Sequence, residues 1–155
     1  MVDLQIVEKK LTHIQEYLQF LKKISKKVTT KKMKKDFSLI SSVAHPLQTI
    51  IQACIDVCTH IASDEKWELP GSSAQAFTIA LRHGVISEKV EKELLQATKL
   101  RNIIVHMYDN LDVKILEQVV KTKLNIFDQF VSEVRKWLKK NDKTGRKHHH
   151  PFSLK

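Results

Sequence analysis

The chain has 155 residues, of which 42% are hydrophobic, so it is long and apolar enough to fold as one domain and is not expected to be disordered. It contains three glycines and three prolines, so we expect few turns and long helices. No apolar run approaches the roughly 20 residues that span a bilayer, and the segment after Met1 has no signal-peptide pattern. We therefore expect a cytoplasmic protein with no membrane partner.

The formal net charge of +10 is unevenly distributed along the chain. Residues 22–35 contain eight lysines and no acidic residue, and residues 135–155 contain eight basic residues and one acidic residue. The remainder is mildly acidic, with eleven basic and sixteen acidic residues. Basic segments of this kind can bind phosphates without sequence preference through counterion release. They can equally be soluble, mobile linkers, and the composition leaves both interpretations open.

Apolar periodicity predicts two long helices in the first half of the chain. The first, near residues 2–22, has apolar residues at alternating spacings of three and four. The second begins after Asp36, a suitable N-cap residue, and its apolar positions continue to Ile61. Pro46 lies in the middle of this second helix. A proline there should kink the helix or break it at Ala44–His45, because it removes a backbone hydrogen bond and crowds the preceding turn.

A loop followed by a short helix is predicted next. Residues 63–73 contain Pro70–Gly71 and three serines, a composition typical of loops. Trp67 lies within this loop and is expected to pack back onto the bundle. The short helix covers about residues 73–83 and stops at Gly84, a residue that readily follows the end of a helix.

Two more helices are predicted in the second half of the chain. Ser87 is expected to cap the first of them, whose apolar stripe continues into residues 101–108. Asp109–Asn110 should end that helix. Asp112 is then expected to cap a final long helix that extends to about Lys140.

The resulting fold class is all-α, an up-and-down bundle of about five helices with no alternating strand pattern. We expect one helical domain over residues 1–140 and a basic tail over residues 141–155. The tail contains His148–His150, to which we assign no role. Cys54 and Cys58, four residues apart in the second helix, are expected to be small buried side chains, because no further metal ligands lie nearby.

The most distinctive segment is Arg101-Asn102-Ile103-Ile104-Val105-His106-Met107-Tyr108. A helix turns about 100° per residue, so Asn102 and His106 share one face, while Arg101 and Tyr108 lie on a neighbouring stripe. The ordinary interpretation of such residues is a solvated helix face. The alternative is a polar site at the end of a helix that is buried on its other side.

Arg101, His106 and Tyr108 form an Arg-x4-His-x-Tyr pattern that resembles the signature of HepT-type toxins, a branch of the HEPN superfamily of metal-independent ribonucleases. The resemblance extends over residues 36–140. Further segments resemble the second helix, the "F..L...GVI" segment and the "LRN..VH" core of that family; they are Leu47–Gln48, Ile55–Val57, His60–Ile61, Phe77–Leu81, His83–Ile86 and Leu100–His106.

The resemblance implies roles for individual residues. Arg101 and His106 would be catalytic, with His106 as the base that removes the proton of an RNA 2′-hydroxyl and Arg101 stabilising charge on the phosphoryl oxygens. Asn102 could orient the imidazole or a phosphate, and Asp56 and His60 would be accessory residues in the same cleft. No metal ion or other cofactor is expected. A purely structural role for Asn102 remains equally open.

The resemblance also implies two partners besides RNA. Arg101 and His106 point about 140° apart on one helix, and members of the family bring two copies together so that a homodimer forms a composite site. In HepT-like toxins the tyrosine at the position of Tyr108 receives AMP from an MntA-type nucleotidyltransferase antitoxin, which would place negative charge and bulk where RNA phosphate must bind. A tyrosine that only anchors the helix end is the alternative.

Two departures from the family pattern occur. Many members have Glu-Arg before Leu-Gln in the second helix, where this chain has Ala44–Gln48, including a proline. The residue before Tyr108 is often acidic and is Met107 here. Two other functions remain open, namely a non-catalytic HEPN module that binds a nucleotidyltransferase and a purely structural helical oligomer. A metallohydrolase is disfavoured, because no spacing brings three ligands together.

Overall fold

The computed structural model describes residues 1–106 and 112–141, and within these residues the fold is entirely helical. The all-α prediction is confirmed, but the predicted number of helices, about five, is wrong. The seven helices of the described residues are α1 (Leu4–Ile24), α2 (Thr30–Lys35), α3 (Phe37–Asp64), α4 (Ser73–Arg82), α5 (Glu88–His106), α6 (Val113–Thr122) and α7 (Asn125–Lys140).

One additional helix comes from the lysine-rich segment between α1 and α3. A 3₁₀ turn at Ser25–Lys27 is followed by α2, whose N-cap Thr29 accepts a hydrogen bond from the backbone N–H of Lys32 (3.1 Å). Val28 and Met33 are completely buried. These two apolar side chains hold the segment on the bundle, so a region that we interpreted as a connector forms a short helix of its own.

The other additional helix arises because the predicted final helix is divided in two. α6 ends at Thr122; the backbone N–H of its C-cap, Lys123, still donates to the carbonyl of Val119 (2.9 Å), and α7 begins at Asn125. α6 packs on α2 and α3, whereas α7 packs on α1 and α5. A straight helix cannot present one apolar stripe to both pairs of neighbours. The stripe continues across the division, which is why periodicity predicted a single helix.

Pro46 was predicted to kink α3 or to break it at Ala44–His45, and the break does not occur. α3 is continuous from Phe37 to Asp64 with Pro46 inside it. The proline removes one backbone hydrogen bond, but Val43 and Leu47 on either side are completely buried. Packing of these neighbours on the core stabilises the helix through the proline.

The core is formed around α1 and α3, which run antiparallel. The backbone N–H of Asp3 donates to Asp64 Oδ2 (2.8 Å) at one end of this pair, and the rings of Tyr17 and His45 meet edge to face further along it. Asp3 also caps α1 with its own carboxylate, as its sequence position before the first apolar stripe allows. α7 lies against α1 in the opposite direction, with the Arg135 guanidinium on the Glu8 carboxylate.

The loop between α3 and α4 folds back on the bundle, as expected for Trp67. The Trp67 ring stacks on the His83 ring with centroids 3.8 Å apart and meets the Trp137 ring edge to face. Glu68 contacts both His83 and Arg82 at the end of α4. The following glycine, Gly84, has φ +80°, which confirms its predicted position after the helix.

These contacts define two ends of the bundle. The Asp64 end contains the N-terminus, the Trp67 loop and the end of α7. The connector end contains residues 25–36 and α6. The Thr30 backbone N–H donates to Glu117 on α6, and the Lys121 ammonium on α6 donates to the carbonyl of Ser25. α4 runs from the middle of α3 towards the Asp64 end and α5 returns beside it, so α5 runs towards the connector end. No helix in the described ranges is long and apolar enough to cross a membrane.

Candidate functional site

The side chain of Arg101 joins three helices near the end of α5. Its Nη1 donates to Gln52 Oε1 on α3 (2.7 Å), and its Nη2 donates to Ser73 Oγ at the start of α4 (3.1 Å). The amide of Gln52 in turn donates through Nε2 to Asp56 Oδ1, one helical turn away (3.0 Å). The guanidinium is therefore fixed at two points by neutral oxygen acceptors.

Local sequence explains this placement. Leu100 and Ile104 are buried on one side of α5, which leaves Arg101 at the edge of the helix–helix contact. Ser72 caps α4 by accepting from the backbone N–H of Gln75 (3.2 Å), so the hydroxyl of Ser73 begins the helix at a defined position. The arginine reaches this hydroxyl across a contact of three helices.

The electrostatic state of Arg101 is unusual for a half-buried cation. Among the residues that the structure describes, no carboxylate lies within 4.0 Å of its guanidinium, and its Nε is buried without an acceptor. Asp56 is the acid of this network, but Gln52 stands between it and the arginine. A buried cation usually has a charged partner, and here the positive charge remains available to an anion. The fork of an arginine suits the paired oxygens of a phosphoryl group.

The other motif residues are placed as follows. Asn102 and Val105 are exposed on the outer face of α5. His106 is the last residue of α5 that the structure describes, about 7.5 Å along the axis from Arg101, and the helix end predicted at Asp109–Asn110 lies outside the described residues. The side chain of His106 and the whole of Tyr108 lie outside the described residues, so their predicted roles stay predictions.

The structure separates the two accessory candidates on α3. Asp56 is connected to Arg101 through Gln52. His60 lies one turn further towards the Asp64 end, where its Nε2 is 3.0 Å from Asp64 Oδ2. It therefore stands beside the carboxylate that receives the backbone N–H of Asp3 and not beside the arginine.

Sequence reasoning missed both direct partners of Arg101. Gln52 could have been found, because it lies four residues before Asp56 on the same stripe of α3. No pattern in the sequence indicates Ser73, since its contact depends on how the start of α4 docks against α5. The two cysteines are buried as expected, and burial raises the pKa of the Cys54 thiol and of the Cys58 thiol.

No group of three or more His, Cys, Asp and Glu side chains in residues 1–106 and 112–141 is arranged to hold a metal ion. The chemistry visible in these ranges is instead that of an anion site, built on one arginine and two neutral oxygen partners. Fold and site together define a class, a helical bundle in which an arginine, without a carboxylate partner among the described residues, lies five residues before a histidine on the same helix.

Comparison with known proteins identifies the family within this class. The sequence model of the ribonuclease HepT-like family matches residues 14–134. The chain belongs to the HepT-like family, which confirms the prediction made from the Arg-x4-His-x-Tyr segment and its flanking segments.

Two curated relatives are named as nucleases. The mRNA nuclease HepT of Shewanella oneidensis (strain ATCC 700550 / JCM 31522 / CIP 106686 / LMG 19005 / NCIMB 14063 / MR-1) is 35% identical over 102 residues, which cover 66% of this chain and 77% of the relative. The tRNA nuclease HepT of Aphanizomenon flos-aquae (strain 2012/KM1/D3) is 26% identical over 133 residues, covering 86% and 90%.

A solved structure gives the same fold. The tri-AMPylated Shewanella oneidensis HEPN toxin, determined in complex with MNT antitoxin, superposes with a TM-score of 0.78 at 30% identity. The match covers 88% of this chain and 99% of that toxin. The two curated relatives are named for different RNAs, one for mRNA and the other for tRNA.

Proposed function

We propose that this chain is a metal-independent endoribonuclease, the toxin of a toxin–antitoxin pair that acts in the cytoplasm. The observation that carries the proposal is the fixed guanidinium of Arg101, whose acceptors Gln52 and Ser73 are both neutral. A guanidinium oriented in this way, with no carboxylate partner among the described residues, suits a phosphodiester. The nuclease names of the two curated relatives support the same conclusion.

In the proposed reaction His106 takes the proton of a ribose 2′-hydroxyl, and the resulting alkoxide attacks the adjacent phosphorus. The bond from phosphorus to the 5′-oxygen breaks, and that oxygen acquires a proton. The products are a 2′,3′-cyclic phosphate and a free 5′-hydroxyl. Arg101 stabilises the negative charge that develops on the phosphoryl oxygens, and Asn102 orients the imidazole or the phosphate.

The proposed active form is a homodimer with a composite site. Arg101 and His106 point in different directions on one helix, so a second copy of α5 is needed to bring an arginine and a histidine into one groove. The exposed Asn102 and Val105 on the outer face of α5 supply a surface for this contact. Sedimentation or light scattering at micromolar concentration should give the mass of a dimer. A monomer would leave the site incomplete.

The proposed antitoxin is an MntA-type nucleotidyltransferase that transfers AMP to Tyr108. The structural relative was determined as a tri-AMPylated toxin with its MNT antitoxin, which supports this partner. A phosphate attached two residues after His106 would repel the RNA phosphate and compete for Arg101. Incubation with the antitoxin and ATP should add mass in units of AMP, and Tyr108→Phe should accept none.

The proposed domain limits follow the same reasoning. Residues 1–140 form the catalytic helical domain, and residues 141–155 form a basic tail beyond it. The family match over residues 14–134 lies inside the first segment, which supports the boundary. Removal of residues 142–155 should leave RNA cleavage and melting temperature unchanged, as measured on the purified truncated chain.

The decisive experiment measures RNA cleavage in EDTA for wild type, Arg101→Ala and His106→Ala. Each protein must first have the same melting temperature, circular dichroism spectrum and oligomeric state. Removal of one oriented donor or one general base costs about 10²–10³-fold in rate, so both variants should lose nearly all activity. The chelator should not reduce wild-type cleavage.

Two other outcomes would change the conclusion. Activity that EDTA abolishes would replace the metal-independent mechanism with a metal-dependent one. No cleavage by a folded, unmodified dimer would favour the non-catalytic module that binds a nucleotidyltransferase. Mass spectrometry of the purified protein must precede this assay, because AMP already attached to Tyr108 would silence a true nuclease.

A further inference from the structure

Residues 22–35, the lysine-rich connector, have an exposed surface made of a single residue type. Val28 and Met33 are completely buried, and the remaining serine, threonine and isoleucine residues are half-buried. Every exposed residue between positions 22 and 35 is a lysine. These eight residues are Lys22, Lys23, Lys26, Lys27, Lys31, Lys32, Lys34 and Lys35.

The charge of this surface is largely uncompensated. Of these eight lysines only Lys22 has an ion-pair partner among the described residues, the Asp128 carboxylate on α7. Glu117 is also near, but it accepts hydrogen bonds from the Thr30 backbone and hydroxyl, both at 2.7 Å. Asp36 is occupied by Ser38 at the start of α3. Seven lysines therefore face solvent with no ion-pair partner in residues 1–106 and 112–141.

The surface lies at the end of the bundle towards which the candidate site is directed. Along α3, Gln52, the partner of Arg101, is about 22 Å from Phe37, the first helical residue after the connector. α5 runs towards this end, and His106 is about 7.5 Å further along it than Arg101. A nucleic acid strand of several nucleotides placed on Arg101 can therefore continue over the connector.

We propose that the lysine-rich connector binds the phosphodiester backbone of the RNA substrate on one side of the scissile bond. The inference rests on the proposed function, because it assigns a second contact to the same substrate. Lysines are flexible point charges that hold phosphates without reading bases. Such a contact suits a family whose curated members are named for different RNAs.

The composition of the connector favours RNA over an acidic protein partner. Stable protein interfaces contain buried aromatic, methionine or arginine anchors at their centre and are depleted in lysine. Within residues 22–35 no apolar or aromatic side chain is exposed, since Val28 and Met33 both face the core; the exposed Phe20 and Phe37 flank this segment on α1 and α3. A polyanion with regularly spaced phosphates requires only the charges.

The test compares two variants that each remove four lysines. In the connector variant Lys27, Lys31, Lys34 and Lys35 are replaced by glutamine. The control variant replaces four other exposed lysines that have no ion-pair partner among the described residues and that lie towards the Asp64 end; these are Lys9, Lys136, Lys139 and Lys140. α1 spans about 30 Å between the two ends, several times the Debye length at physiological ionic strength.

Binding is measured in a His106→Ala background so that the probe is not cut. The probe is a fluorescent single-stranded oligouridine of about 20 nucleotides, and anisotropy gives Kd at several salt concentrations. Four lost phosphate contacts should reduce the slope of log Kd against log salt by about 3 and weaken binding at least about tenfold near 0.1 M salt. The control variant should match the parent. Equal melting temperatures establish that all proteins are folded.

The outcomes separate this inference from the proposed function. Equal Kd values and salt slopes for the connector and control variants would overturn the connector contact. A connector variant that kept its affinity for RNA and lost only its affinity for the nucleotidyltransferase would likewise overturn the connector contact. In a parallel assay wild type is given total cellular RNA, because the RNA target is open. Absence of cleavage by the folded, unmodified protein contradicts the proposed nuclease and leaves the binding comparison intact.

Discussion

One polar stripe of α3 contacts Arg101 in its first half and the start of α1 in its second half. Gln52, Asp56, His60 and Asp64 recur every four residues and so lie on one face of the helix. The first two connect to Arg101 and, through it, to Ser73 on α4. The last two stand at the opposite end, where Asp64 receives the backbone N–H of Asp3 and lies 3.0 Å from His60.

The two halves differ in how charge is balanced. At the Asp64 end, the terminal amine lies 3.5 Å from Glu65, and the Arg82 guanidinium lies 2.8 Å from the Glu68 carboxylate. At the Arg101 half, the cation is held by an amide and a hydroxyl, and the nearest acid of its network is separated from it by Gln52. Local charge pairing serves folding, whereas an oriented and unpaired cation can serve a ligand. The comparison therefore predicts which substitutions reduce activity and which reduce stability.

The largest effect is expected from Arg101→Lys. An ammonium cannot bond to Gln52 and Ser73 while presenting two parallel donors to a phosphate, so cleavage should fall about 10²-fold although the charge is kept. The matched control is Arg135→Lys, because the Arg135 guanidinium donates from Nε and Nη2 to the carboxylate of Glu8 at the surface. Initial rates on one RNA substrate, with melting temperatures, test both. Equal losses of cleavage rate in the two variants would contradict the distinction between an arginine that serves a ligand and one that serves folding.

A smaller, more specific effect is expected from Gln52→Glu. The new carboxylate would pair with Arg101 and compete with the phosphate, so kcat/KM should fall about tenfold. The pair with Arg101 offsets the lost hydrogen bond to Asp56, so the melting temperature should change little. Gln129→Glu is the control, since Gln129 bonds to Glu133 one turn away as Gln52 bonds to Asp56. Its activity should be unchanged. A Gln52→Glu variant with full activity would contradict the proposal that a neutral acceptor at this position leaves the Arg101 charge available to a phosphate.

The sequence predicted the parts of this fold that depend on local chemistry. The all-α class followed from apolar periodicity, and the caps at Asp36 and Asp112 and the glycine after α4 occur where they were predicted. Each of these features depends on residues within about one helical turn of one another, so a linear pattern contains the required information.

The features that the sequence did not predict depend on contacts between distant segments. The division between α6 and α7 follows from two different sets of neighbouring helices, and continuity of α3 through Pro46 follows from burial of the residues around it. In the site, Arg101 was identified by its motif, but its partner Ser73 lies 28 residues away and on another helix. Spacing within one helix carries no information about such a partner.

A moderate effect on stability, without one on activity, is expected from His60→Ala. The ring lies beside Asp64, which accepts the backbone N–H of Asp3, but its buried Nε2 has no partner of hydrogen-bond geometry among the described residues. Loss of the ring should therefore destabilise the fold by only about 0.5–1 kcal/mol. Chemical denaturation and RNA cleavage, measured on the same preparation, separate the two effects. Lost cleavage at unchanged stability would instead place His60 in the cleft, as the family resemblance implied.

The smallest effect is a pH dependence at the Asp64 end. The hydrogen bond with His83, with a contribution from the nearby Arg82 charge, lowers the pKa of the Glu68 carboxyl below its ordinary value of 4.5. Because the folded state favours the carboxylate, this stabilisation is present above the ordinary pKa and is lost as pH falls through the lowered one. Between pH 6 and pH 3 the melting temperature of wild type should therefore fall further than that of Glu68→Gln.

The difference between these two proteins should not exceed about 2 °C, since Glu68 is exposed and its pairs are screened by solvent. Glu16→Gln, which removes an exposed carboxylate with no hydrogen bond among the described residues, should follow wild type. Because Glu68 belongs to the charge-paired end, its substitution should leave RNA cleavage at neutral pH unchanged. A loss of cleavage there would mean that the Trp67 loop and the Arg101 network are coupled, and the two ends of the bundle would no longer be separate in function.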